Sequence, residues 1–170
     1  MAKDLFELAT SLVRDRITGH RKGLPDAPNF QHSFDVAETL QAHNFSNEVI
    51  LAGLLHDIYE DGNTTFEELR QFGFPERVID LVRLCSFDKS IVDNNARWFM
   101  MIIGLYDASD ADAWAIKIAD LIDNLRDSWA LPAARADFMR HAKAPILLRL
   151  TYPQLGSTEL WQELKEETEK

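Results

Sequence analysis

The chain has 170 residues, 46% hydrophobic and 27% charged, which suits one globular domain and excludes disorder of the whole chain. Eighteen basic residues against 28 acidic ones leave a net charge of −10, so coating of duplex nucleic acid is not expected, because that binding relies on neutralising phosphates. The longest uncharged apolar run, Trp98 to Tyr106, is far shorter than the roughly 20 residues of a membrane span, and the single Cys85 offers no internal disulfide.

In chain order, the start MAKDLFELAT carries acids where a signal peptide would be apolar, so a cytoplasmic protein is expected. Leu5, Leu8, Leu12 and Val13 form a first helical stripe. Residues 19–28 read as a loop, punctuated by Gly19, Gly23, Pro25 and Pro28 and carrying the basic triplet His20-Arg21-Lys22. Phe30, Phe34, Ala37 and Leu40 mark a second helix, and Val49, Ala52, Gly53 and Leu55 lead a third that is expected to stop at Gly62. Two overlapping capping boxes, Thr64 with Glu67 and Thr65 with Glu68, announce another helix. Pro75 opens the stripe Val78, Leu81, Val82 and Cys85. Asp93 is placed to cap the Trp98 helix, and Ser109 to cap a long helix through about Asp127. Pro132 breaks the chain before a helix to about Leu150, and Ser157 or Thr158 begins an amphipathic acidic one. No alternating strand pattern appears, so the expected fold is all-α, one domain over 1–170 with about eight to ten helices. Its core runs over about 12–150 and its C-terminal helix over about 157–169.

The chemistry concentrates in a few places. The apolar run Val49–Leu55 is followed directly by His56-Asp57-Ile58-Tyr59-Glu60-Asp61. A helix that is apolar all round lies deep in the core, so His56 and Asp57 start half buried and need partners, of which a metal ion is one. Residues four apart share a helix face, so Glu60 follows His56 and Asp61 follows Asp57, beside such an ion, where a general acid or base is wanted. Two further ligands are available in His32, ahead of an apolar helix, and Asp120, after the run Ala115–Ala119 with Asn124 one turn on. A solvated helix end is the plainer reading of any one of these alone.

Taken together, the order His, His-Asp, distant Asp resembles the HD superfamily of metal-dependent phosphohydrolases. The chain looks like its RelA/SpoT-type branch of alarmone hydrolases, in particular the small hydrolase-only members, over about Leu12 to Leu150. The matching pieces are Arg21-Lys22, His32 with Val36-Ala37, Leu55-His56-Asp57 with Glu60-Asp61, Glu68-Leu69, Phe72-Gly73, Asp88-Lys89, and Lys117–Asp120 with Asn124-Leu125. The resemblance implies that His32, His56, Asp57 and Asp120 bind one Mn²⁺ and that Glu60 and Asp61 activate or orient water. It also implies that Arg21, Lys22 and Asn124 contact the nucleotide, with Lys89 and Arg140 reaching phosphates. The implied reaction releases pyrophosphate from guanosine tetra- or pentaphosphate. The family pattern departs at Thr18-Gly19-His20, at Pro28-Asn29-Phe30 and at Ala144, where an aromatic is usual, which leaves guanosine against adenosine alarmones open. Another HD nucleotidase and a non-catalytic nucleotide-binding regulator are the alternatives. No histidine lies between Asp57 and Asp120, which argues for one metal rather than two. His43 and His141 read as surface or core residues without a matched partner. Trp98, Phe99 and Met100 read as core, and Trp114 and Trp129 as packed between helices. The terminal helix, through Leu160, Trp161 and Leu164, is expected to dock on its own domain or on a second copy of the chain.

Overall fold

The apolar stripes become buried helix faces. The computed structural model describes residues 2–170, and among them ten α-helices account for most of the chain: α1 Ala2–Arg16, α2 Gln31–Ala42, α3 Asn47–Leu55, α4 Phe66–Gln71, α5 Glu76–Cys85, α6 Asn94–Ala108, α7 Ala111–Arg126, α8 Ala133–Phe138, α9 Ala144–Leu155 and α10 Glu159–Glu169. Helices α3 and α7 form the centre. Every residue of α3 from Val49 to Leu55 is buried, as is α7 from Ala113 to Ala119. Helices α1, α2 and α5 pack on α3, while α2, α9 and α10 pack on α7. Gly53 sets the spacing of α2 and α3: a Cβ there would stand 2.4 Å from Leu40 Cδ1 and 3.5 Å from Val36 Cγ1. The close approach brings the turns carrying His32 and His56 together, with ring centroids 5.1 Å apart.

The helix boundaries follow local hydrogen bonding. Asp93 accepts from Ala96 N–H at 2.8 Å, as its position suggests, and Thr65 forms a full capping box with Glu68. Thr64 forms no box with Glu67. Its hydroxyl donates to the Gly62 carbonyl at 3.2 Å and accepts from Arg16 at 2.9 Å. Asp110, not Ser109, caps α7, because a carboxylate reaches both Asp112 and Ala113 N–H, while Ser109 ends α6 in the left-handed region at φ 51°. Helix α3 stops at Leu55 rather than Gly62, because the His56 ring takes the Gly53 carbonyl at 2.7 Å and so occupies the acceptor of the next helical bond. After Pro132 the chain makes α8, then a π-helical turn Met139–Lys143, and α9 runs on to Leu155.

Residues 19–28 are not a loop. His20–Arg21 (β1) and Leu24–Pro28 (β2) pair as a short antiparallel hairpin. Two residues are too few for an alternating pattern, so its sequence carries only turn residues. Gly23 sits at φ +83° against the Ala130 backbone, where a Cβ would meet the carbonyl oxygen at 2.1 Å. Glycine alone seats the hairpin on the 3₁₀ turn Ser128–Ala130 that follows α7.

Three side-chain expectations are corrected. Phe99 and Met100 are 43% and 52% exposed and Trp129 is 77% exposed, because they occupy outward positions on α6 and on the 3₁₀ turn Ser128–Ala130. His43 has a partner after all, Glu163 at 2.5 Å, which comes from α10. Helix α10 docks on its own domain through buried Leu160 and Leu164 and through Arg126 with Glu163 and Glu167. Leu164→Ala should therefore cost about 2–5 kcal/mol, read as a lower urea midpoint, and a change below about 0.5 kcal/mol would mean that α10 is only loosely attached. Among the described residues no helix is long and apolar enough to cross a membrane. Cys85 is fully buried and burial pushes its thiol up to about 12, so it is no nucleophile.

Candidate metal centre and active site

Four chain-distant side chains meet where α2, the end of α3 and α7 converge. His32 enters from the first turn of α2, His56 and Asp57 from the end of α3, and Asp120 from mid-α7. One ligand atom each from His32, His56 and Asp57 lie within 4.8 Å of one another. Asp120 Oδ1 is 3.1 Å from His32 Nε2 and 4.0 Å from His56 Nε2. His32 Nε2 is also 3.7 Å from Asp57 Oδ2, and His56 Nε2 is 3.3 Å from Asp57 Oδ1.

The chemistry of His56 tests whether these groups suit a cation. A carbonyl oxygen can only accept, so the contact with Gly53 requires the proton on Nδ1. In the neutral ring, the form that binds metal, Nε2 then presents a lone pair. It is buried, 1% of the side chain is exposed, and it has no hydrogen-bond partner. Buried polar atoms almost always have one, and a divalent ion held among Nε2, His32, Asp57 and Asp120 would supply it. His32 carries the same message. Burial works against its charge, yet Asp120, Asp123 and Asp57 outweigh that and hold its pKa at about 10, so the site already draws a positive charge to that ring.

The remaining expected residues are placed as follows. Glu60 is half buried and accepts from Phe87 N–H at 2.9 Å. Burial and the Asp57 charge push its pKa up to about 8, so it keeps a proton near neutrality. Asp61 is exposed at the rim, where its Oδ2 accepts from Asn29 at 3.2 Å. Asn124 Nδ2 donates to Asp120 Oδ1 at 2.5 Å and to the Asp120 carbonyl at 2.9 Å. Lys22 is exposed beside the site's hairpin. Lys89 is exposed, with its ammonium 4.6 Å from the Tyr59 ring centroid. Arg21, expected to line the nucleotide pocket, is ion-paired with Asp123 and Asp127, each at 2.8 Å. Arg140, expected to reach phosphates, donates through its guanidinium to the Glu167 and Thr168 carbonyls and to Ser128, fastening the end of α10.

Three further groups receive no role from the sequence, although Lys117 lies within the matching Lys117–Asp120 piece. Lys117 is buried and ion-paired with the distal oxygen of Asp120, one turn on along α7. A lysine inside an apolar-all-round run is the signal for it, since a buried ammonium needs a carboxylate. Asp123 is buried, 7% exposed, and is hydrogen-bonded to His32 Nδ1 at 2.5 Å. Lys143 lies in the π-helical turn, 5.2 Å from the Trp98 ring centroid and 5.9 Å from that of Phe138. Burial lowers its pKa to about 8, Lys117 adds to the effect, and the Asp120 and Glu60 charges oppose it. No local pattern announces a π turn, so nothing in the sequence aims this lysine inward.

Comparisons with known proteins identify the family and the fold. The model of the HD domain family matches residues 9–97. The guanosine-3′,5′-bis(diphosphate) 3′-pyrophosphohydrolase of Aquifex aeolicus is 33% identical over 113 residues, 65% of this chain and 16% of that protein. The protein of the same description from Drosophila melanogaster is 33% identical over 109 residues, 63% of this chain and 59% of the relative. The chain thus spans less than two thirds of either relative's length. A solved structure described as a metazoan ortholog of SpoT that hydrolyses ppGpp superposes with a TM-score of 0.78 at 26% identity, over 97% of this chain and 93% of that one.

Proposed function

Because the chain belongs to the HD domain family, we propose that it is a Mn²⁺-dependent pyrophosphohydrolase of nucleotides carrying a 3′-pyrophosphate, guanosine tetraphosphate foremost. The observation that carries this reading is the buried, partnerless Nε2 of His56 facing three further ligand groups. His32, His56, Asp57 and Asp120 would hold one ion, all through nitrogen or carboxylate oxygen, a donor set that suits Mn²⁺. When bound, the ion supplies Lewis acidity that neutralises charge developing on the attacked phosphoryl group.

The protein's own residues do the rest. Water oxygen attacks the phosphorus that is bonded to the ribose 3′ oxygen, and the P–O3′ bond breaks. With a cation offsetting the Asp57 charge that helps hold its proton, Glu60 would ionise, and, fixed by Phe87 N–H, it would then take the water's proton and return it to the departing 3′ oxygen, leaving GDP and pyrophosphate. Asp61, at the rim, orients the water on the open side. Lys22 and Lys143 supply the local positive field that an acidic protein otherwise lacks, and neither has a carboxylate partner among the described residues. Asn124, tied to Asp120 through its amide nitrogen, keeps its carbonyl oxygen for the ribose.

The test is pyrophosphate release from guanosine tetraphosphate with Mn²⁺, wild type against Asp57→Ala. Loss of a ligand should reduce the rate at least about 100-fold. Equal rates in the two proteins, or release of phosphate alone, would reject the assignment.

A further inference from the structure

We infer that Asp123 is a positioning residue for the metal centre, holding His32 by Nδ1 so that Nε2 faces the other ligands, and that Arg21 is the clamp that keeps Asp123 in place. This rests on the metal-centre reading above and gives the hairpin a role in supporting a ligand, beside any contact it makes with substrate.

A single oxygen carries the connection. Asp123 Oδ2 accepts from His32 Nδ1 at 2.5 Å and from Arg21 Nη2 at 2.8 Å. Arg21 Nε reaches Asp127 Oδ2, also at 2.8 Å. Asp123 and Asp127 lie one turn apart on α7, so one planar guanidinium spans both. The Arg21 and Asp123 side chains are each 10% exposed, and that of His32 is 6% exposed. A carboxylate buried to this degree needs a cation, and the guanidinium provides it.

The two histidines are therefore held differently. His56 has its ring oriented by a backbone carbonyl within its own helix. His32 is oriented by a carboxylate, and a carboxylate on the far nitrogen both sets the tautomer and makes the near one a better donor. That carboxylate is in turn held from the hairpin, 102 residues away in the chain. The seating of Gly23 on Ala130 thus reaches the centre by the path hairpin, Arg21, Asp123, His32.

Calorimetric titration of Mn²⁺ into chelator-stripped wild type, Asp123→Asn, Arg21→Gln and Asp127→Asn tests this. Asp123→Asn preserves shape and removes the charge, and its affinity should fall about 10–100-fold. Arg21→Gln leaves Asp123 in place but unclamped, and should weaken binding in the same direction. It also carries the test should Asp123→Asn fail to fold, with Asp127→Asn as the milder form of the same lesion. A folded Asp123→Asn or Arg21→Gln that binds Mn²⁺ as tightly as wild type would overturn the inference. So would a raised KM for Arg21→Gln with unchanged Mn²⁺ affinity, which would return Arg21 to the substrate. Failure of the wild type itself to bind Mn²⁺ would instead remove the metal-centre reading.

Discussion

Glu60→Gln should lower kcat for pyrophosphate release by about 10²–10⁴-fold, the usual contribution of a positioned proton-transfer group. The amide keeps the size of the side chain and can still accept from Phe87 N–H, but it cannot take up a proton from water. Mn²⁺ uptake should survive, since Glu60 is not among the four ligands, and this separates loss of proton transfer from loss of the ion. An activity within about threefold of wild type at saturating Mn²⁺ would exclude Glu60 from the chemistry. The same substitution has a stability signature without metal. Burial and Asp57 raise Glu60 from 4.5 to about 8, so the folded state keeps a proton that the unfolded chain releases. Stability from this group is fully present below about pH 4.5 and is lost as pH rises through 8. With chelator present, the advantage of Glu60→Gln over wild type should therefore grow from pH 5 to about pH 8 and then level off. Parallel stability curves for the two proteins would contradict the buried environment seen for Glu60.

Lys117→Met should destabilise the metal-free protein by about 3–5 kcal/mol. Burial works against the lysine's charge, but Asp120 and Glu60 outweigh it and hold its pKa well above the usual range. Its loss leaves the Asp120 carboxylate, only 15% exposed, with the His32 ring as its nearest compensation. A divalent ion offsets the same negative charge. Added Mn²⁺ should therefore raise the urea midpoint of Lys117→Met by more than it raises that of wild type, because binding to the folded state alone stabilises by mass action. A Met variant within about 1 kcal/mol of wild type in chelator would show that the pair with Asp120 carries little.

The part of the centre that is legible in the sequence shares one physical trait. His56, Asp57 and Asp120 each follow directly on an apolar run that has to be buried, so the energetic cost of a buried ionisable group announces them from the order of residues alone. His32 lacks that trait and stands out only in company with the others. The supporting groups are silent for the converse reason. Asp123 and Asp127 follow Asp120 at helical spacing and look like an ordinary acidic helix end. Only the hairpin's arrival on α7 shows that Arg21 neutralises them. Arg140 is silent in the same way: its place in the sequence does not reveal that its guanidinium, set in the π turn, fastens the end of α10.

Local sequence thus determined the helices, the depth of α3 and α7, and which residue types had to seek partners, because periodicity and burial act over a turn or two of chain. Which partners they found was decided by tertiary packing alone. The Gly53 contact that sets His32 beside His56 and the guanidinium that crosses from β1 to α7 join residues far apart in the chain. Hydrogen bonds and ion pairs act over about 3 Å, and no spacing along the chain encodes that proximity.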